Sequence, residues 1–399
     1  MTLPSFRLPR LRAIAAARGA GCLVPILAAA LLSAGGILRA ASTPTPQQGQ
    51  GESAGPQPEG DAKELIPRFQ QSRGPEIGII DFYGLRTVSE EDVRKVLGVE
   101  EGGPLPRSKH ETELAIEEIP GVVFARLQAV CCEDGRAILY VGIEERGAPH
   151  FDYRTPPQEQ IQLPEEVHRT YALFLSALNE AVRKNEIQED FTQGHSLISN
   201  ARARSYQEKF LVQAKEHLDR LRAVLRRSAD AEHRAIAAYV IGYAPDKKAV
   251  IDDLLYALRD PDDTVRSNAM RALVAIEVYS RRNPQLGIRI PATWLIEMLN
   301  SIIWTDRTTA AVNLVNLTED RDQETLDRIR ERALGALIDM ARWKHLPHAL
   351  PAYILLGRVL GLEEEEIRKE WASDARLDLV QRAAELQASP GKKRRKKRD

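Results

Sequence analysis

Cysteine is scarce in this sequence, with 3 among 399 residues. A chain so long and so poor in cysteine is not a disulfide-stapled miniprotein, and packed cores must supply its stability. An excess of either charge is also lacking. Lys and Arg (56) nearly balance Asp and Glu (57), a formal net charge of −1, which argues against a uniform nucleic-acid-binding surface. The motifs of common chemistries are missing too: no G-x-S-x-G, no H-E-x-x-H, no Walker loop and no Rossmann glycine fingerprint. The 8 histidines are scattered. His345 and His348 are three apart, but Pro347 lies between them and no second ligand pair is near, so an ordinary loop is expected, with Trp343 and Tyr353 packing beside it. Asn316-Leu317-Thr318 matches a glycosylation sequon inside a helical pattern, where such triplets arise by chance. Nothing assembles a nucleophile, a base and an orienting group. The expectation is no enzyme, no cofactor, no metal and no small-molecule substrate.

What is present begins with an address. Arg7, Arg10, Arg12 and Arg18 precede any acidic residue, an apolar run spans Cys22 to Leu38, and Ala40-Ala41-Ser42 follow. A basic start, an apolar middle and small residues at the exit make a secretory signal over residues 1–40, which predicts export to the periplasm or cell envelope. The run is short of the ~20 residues that span a bilayer and is interrupted by Pro25, Gly35 and Gly36; an uncleaved N-terminal anchor is the alternative. Cys22 stands before the apolar run rather than after it, against lipidation. Residues 41–74, rich in Pro, Gly, Gln and Ser, have too little apolar surface to offset their ordering entropy and read as a disordered linker.

Residues 75–147 read as a small α/β unit of order β-α-α-β-β. A β-rich run, Ile77 to Tyr83, stops at Gly84. Ser89 caps a first helix and Ser108 a second, Pro120-Gly121 turns into a strand from Val122 to Val130, and Asp134-Gly135 makes a hairpin into a last strand, Ala137 to Ile143. The combination of Gly84, Val88-Ser89, Ile119-Pro120-Gly121-Val122 and Val141 to Glu144 resembles a POTRA domain. That resemblance implies a module outside the cytoplasmic membrane that binds polypeptide by adding a strand to an open sheet edge. One copy with no following β-barrel pattern does not support an outer-membrane insertase or pore. A domain that merely positions the rest is the plainer alternative. Cys131 and Cys132 are candidates for a vicinal disulfide, or for two thiols of which one is buried, in a structural role.

After a linker, residues 148–164, the pattern turns helical and no strand is expected. Glu165 to Lys184 and Ser205 to Arg227 read as two long amphipathic helices. A repeat then appears: His233-Arg234-Ala235-Ile236-Ala237 aligns with Val265-Arg266-Ser267-Asn268-Ala269, with a weaker third copy at Asp306-Arg307-Thr308-Thr309-Ala310. Leu258 to Arg266, with its Asp260-Pro261-Asp262-Asp263 turn, resembles the turn of a HEAT repeat. The calcium reading of these acids fails because Val265 stands where the loop needs glycine, so they should cap a helix while Arg266 bridges to acids of adjacent turns. Helices are also expected over Glu324 to Arg342, Pro351 to Leu360 and Glu363 to Trp371. The resemblance implies a HEAT-like α-solenoid over residues 165–386, a fold whose extended surface holds proteins.

Residues 387–399 are a basic disordered tail, in which Lys392, Lys393, Arg394, Arg395, Lys396, Lys397 and Arg398 would bind an anionic membrane surface or nucleic acid. With an export signal at the other end, the envelope surface is the more coherent choice. The expectation is a multidomain, exported, non-enzymatic scaffold or adaptor that binds protein partners through the POTRA-like sheet edge and the HEAT-like surface. A nucleic-acid-associated repeat protein acting through the tail is the alternative.

Overall fold

The computed structural model describes residues 75–373 and 375–388. The expected signal, the first linker and the basic run Lys392 to Arg398 lie outside them. The α/β unit has the expected order: β1 (Ile77–Tyr83), α1 (Glu90–Leu97), α2 (Lys109–Glu117), β2 (Val122–Glu133) and β3 (Arg136–Glu145). Ser89 and Ser108 accept the Asp92 and Glu111 backbone N–H groups and so start the two helices. β2 runs three residues beyond the expected Val130, because Asp134 and Gly135, at φ 50° and 79°, turn the chain only after Glu133 has paired with Arg136.

In the sheet β3 is central, parallel to β1 and antiparallel to β2. Its side chains alternate between two different cores. Leu139, Val141 and Ile143 join Ile80, Val93, Leu97 and Ile116 under α1 and α2. Ile138 and Tyr140 face the other way, into the core of the helical region. Gly142 lies on that second face, where an added Cβ would stand 2.6 Å from the Ile302 carbonyl oxygen. The sheet is therefore a layer between its own helices and the repeats.

The helical region opens with α3 (Glu165–Arg183) and α4 (Ala201–Glu216). Four stacked helix pairs follow among the described residues: α5 (Leu218–Arg227) with α6 (Ala231–Ile241), α7 (Ile251–Ala257) with α8 (Asp263–Arg282), α9 (Thr293–Met298) with α10 (Trp304–Leu317), and α11 (Gln323–Ala341) with α12 (Leu346–Val359). α13 (Glu364–Trp371) and α14 (Arg376–Ala388) close the end. The second helices α6, α8, α10 and α12 form one continuous layer, each packed on the next.

Three expectations need correction. The single helix expected from Ser205 to Arg227 is broken at His217 (φ −114°, ψ 18°), so that α4 pairs with α3 and α5 begins the first repeat. A strand pair does occur in the helical region, β4 (Glu189–Asp190) with β5 (Leu197–Ile198), in runs of two residues that carry no periodic signal. α12 starts at Leu346 rather than at Pro351, which sits in its second turn, where only one backbone donor is lost.

Beneath the turns between paired helices runs a ladder of buried arginines. Asp230 and Asp262 cap α6 and α8, and four residues into each helix stands a ladder arginine. Arg234 grips the Asp260 carboxylate through two bonds of 2.9 and 2.8 Å, and its third nitrogen holds the Ser228 and Ala229 carbonyls. Arg266 repeats the pattern with the Asp306 carboxylate at 3.0 Å and the Asp260 and Pro261 carbonyls at 2.7 and 3.0 Å. Both arginines and both acids are almost wholly buried. Arg307 is the third rung, bonded to the Ser301 carbonyl.

The chain preceding α3 covers this ladder in reverse order. Residues 148–164 lie along the turns: Glu159 bonds backbone-to-backbone with Arg227 and Ala229, and the Arg154 N–H donates to Arg259 O at 2.7 Å. The Tyr153 ring covers the Arg266 guanidinium at 4.4 Å, and its hydroxyl meets Ser301 at 2.8 Å. The Tyr83 ring covers Arg307 at 4.6 Å and its hydroxyl donates to Ile302 O at 2.6 Å.

Replacing one partner of a buried, hydrogen-bonded ion pair leaves an uncompensated charge. Asp306→Ala should therefore cost about 3–5 kcal/mol in urea denaturation. Asp306→Leu combined with Arg266→Met should recover a large part of that loss. A double variant as unstable as the single one would show that carbonyl capping by Arg266, not charge pairing, is what counts.

Candidate functional site

Three places bear on function: the sheet edges, the joint between sheet and repeats, and the seat of the β4–β5 hairpin. A sheet accepts an added strand only where edge N–H and C=O groups are unpaired. On the β2 edge, the Ala125 and Leu127 N–H groups donate to the carboxylates of Glu117 (3.0 Å) and Glu113 (2.7 Å), which project from α2 one helical turn apart. On the β1 edge, Ile77 bonds with the Gly102–Gly103 loop, the Ile80 N–H donates to Glu101, and the Lys344 ammonium bonds both Glu101 and the Ile80 carbonyl. The expected open edge is thus closed at these positions by the protein's own groups, which corrects the strand-addition reading there.

The joint is built of aromatic and ionisable groups that the sequence placed in an ordinary loop. Tyr140 stacks on Trp304 at 5.1 Å, meets Trp343 at a tilt with ring centres 4.9 Å apart, and its hydroxyl meets His348 Nδ1 at 2.7 Å. His345 lies 3.9 Å from His348, ring to ring, and its Nε2 is 3.1 Å from the Glu133 carboxylate. Asp81 accepts the Lys344 N–H at 3.0 Å, and Asp339 accepts that of Gly84 at 3.0 Å. Trp343 packs at this joint, and Tyr353 against Trp371. Burial drives His348 down to about 3 and, opposed by Glu133, also lowers His345. Burial raises Asp81 to about 6, against the pull of Lys344. Cys131 and Cys132 stand at the end of β2, exposed, with their sulfurs joined, next to Glu133. Among the described residues no three His, Cys, Asp or Glu side chains converge to hold a metal, and no helix is long and apolar enough to cross a membrane.

The third place is not legible in the sequence. The β4–β5 hairpin, inserted between α3 and α4, folds back over the layer of second helices. Phe191 is buried among Val274 and Ala275 of α8 and Val312 of α10, a cluster separate from the main core. Glu189 makes an ion pair with Arg271 of α8, and the Ser196 hydroxyl bonds the same carboxylate. Tyr243 donates to Ser196 O at 2.8 Å, and Gln207 links the Ile198 N–H (2.7 Å) to the Tyr239 hydroxyl (3.2 Å). Lys247 donates to Gly242 O at 2.8 Å and stands 3.5 Å from His195 Nδ1. Burial and this lysine lower His195 to about 4, and burial brings Lys247 down to about 8. A void of about 10 Å³ remains between hairpin and helices, lined by His195, Ser196, Tyr243 and Arg271.

The stack of helix pairs defines an α-solenoid with a docked α/β unit. The family model for HEAT repeats matches residues 218–311, from the start of α5 into α10. This range contains the turn and the three arginines that carry the resemblance. No curated protein matches the chain.

The joint should be acid-sensitive. A histidine held neutral stabilises the fold above its unfolded value of about 6.5, and this contribution fades as pH falls towards its folded value. For His348 the loss between pH 6.5 and pH 5 is about 2 kcal/mol, at about 1.4 kcal/mol per unit. Asp81 acts in the opposite sense, since its raised value favours the fold below about pH 4 and that contribution is lost as pH rises through about 6. Thermal melting at pH 7 and pH 5 should therefore show a smaller acid loss for His348→Gln than for the parent, and a larger one for Asp81→Asn. Equal losses in all three would place the acid sensitivity elsewhere.

Proposed function

We propose that this chain is a non-catalytic scaffold of the cell envelope that holds a protein partner on its helical repeats. The carrying observation is the repeat stack itself, four helix pairs among the described residues with a HEAT-repeat match inside it. Helix pairs that contact only their neighbours leave an extended surface, which such folds use to bind proteins. The α/β unit, POTRA-like in its motifs, serves to brace the repeats: its edges are capped at Ile77, Ile80, Ala125 and Leu127, and its second face is buried against α10, α11 and α12. Export rests on the residue pattern of positions 1–40, and the basic run Lys392 to Arg398 is placed against an anionic envelope surface.

Chemical cross-linking of the native envelope fraction, followed by mass spectrometry, tests this reading. The expected result is a partner cross-linked to residues 165–388 and a mature N-terminus near Ala41. Cross-links confined to residues 75–145, or a chain that is recovered alone from the cytoplasm with Met1 intact, would overturn it.

A further inference from the structure

We infer that the tip of the β4–β5 hairpin, Glu189 to Ser196, is a displaceable plug in a peptide groove on the layer of second helices. The occupant that the groove takes is an extended partner segment bearing a carboxylate two residues before an aromatic side chain. This rests on the repeats being the partner-binding surface and names the place on them.

The seat unites two sites of complementary chemistry. One is the apolar recess at the seam of α8 and α10 that takes Phe191. The other is a buried cationic site, where Arg271 pairs with the Glu189 carboxylate and the Lys247 ammonium stands beside His195 of the tip. Glu189 and Phe191 are two apart, the spacing at which an extended chain presents both side chains on one face. Gly194 lets the tip lie close, at φ +77°, where a Cβ would stand 2.9 Å from the Lys247 side chain.

The way the tip is held separates it from the core. In the seat, Glu189 Oε2, His195 Nε2 and Arg271 Nε are buried with no hydrogen-bond partner, although His195 and Arg271 are 6% and 4% exposed. Each such group disfavours the closed state by the desolvation it suffers. Of the ladder arginines, Arg234 and Arg266 have no atom in that condition, and Arg307 has one, Nη1, whereas the seat gathers three such atoms within one contact. The hairpin's apolar tie to the main core is at its base, through Ile198, while the tip meets that core through the Tyr243 hydroxyl and ring. A segment with few apolar anchors and unsatisfied buried groups belongs to the low-stability end of the structure, from which binding elements are drawn.

The test uses the full chain and one probe, a fluorescein-labelled peptide of residues 187–199. In the parent protein the tethered tip competes at an effective concentration that is roughly millimolar. Glu189→Ala with Phe191→Ala should empty the seat, and this variant should bind the peptide at least about tenfold more tightly than the parent does. A peptide carrying the same two substitutions should not bind. Equal binding by parent and variant, or binding by neither, overturns the proposal. Hydrogen exchange on the unmodified protein decides the case independently of how the variant folds. Amides 190–196 should exchange well before those of α8, and exchange in step with α8 would make the tip a fixed part of the core. A failed plug leaves partner cross-links to the repeats intact, whereas loss of those cross-links removes the scaffold reading itself.

Discussion

The arginine–aspartate ladder is the constraint on which the rest of this structure depends. Guanidinium groups as buried as those of Arg234 and Arg266 carry a desolvation cost that engaged donors offset. Each engages its donors by holding a carboxylate and the carbonyls at the end of the preceding turn. The same bonds fix each turn against the next helix pair. Asp260 illustrates the economy: its carboxylate answers Arg234 while its backbone carbonyl answers Arg266, so one residue links two rungs. In the third pair Ser301 stands at the place that Asp260 holds in the second. The carboxylate there comes from Asp306, which also binds Ser301 and Tyr153.

A ladder this polar must also be covered, and the N-terminal part of the chain covers it. Tyr153 and Tyr83 lay rings on successive guanidiniums, which desolvates them while supplying the negative face of an aromatic. In the fourth pair the ladder position is Ala349, and the neighbouring His348 binds Tyr140 of the sheet. The sheet thus docks where the ladder runs out. Its central strand is apolar on both faces, so neither the α/β unit nor the repeats can dispense with the other without exposing a core. This accounts for edges closed by Glu113, Glu117 and Glu101: the unit's contacts are internal.

Much of this architecture is legible in the residues alone. Arg234, Arg266 and Arg307 recur with small residues after them, and Asp262 before Val265-Arg266 reads as a cap because few residue types can satisfy free helix N–H groups. The β-α-α-β-β order follows from period and turns, since Asp134-Gly135 leaves little choice of hairpin. Long-range partners are not legible. The break at His217 depends on α3 and α4 packing together, and nothing in the local pattern announces it. Glu113 and Glu117 look like a solvated helix face until β2 is laid beside them. The β4–β5 strands are too short for periodicity, and Phe191 reads as a stray aromatic in a polar loop.

The contrast between ladder and hairpin seat says more about function than fold analogy does. Both put arginines out of reach of water in the same layer of helices. In the ladder the protein surrounds Arg234 and Arg266 with partners drawn from two turns, a geometry with one solution. In the seat it leaves Arg271 Nε and Glu189 Oε2 unanswered, and puts the neutral His195 beside the ammonium of Lys247. A chain able to build the first arrangement is not obliged by chemistry to accept the second. An incompletely satisfied contact has an advantage where a contact must open, because the free energy forgone on closing is what a better-fitting segment can recover on binding.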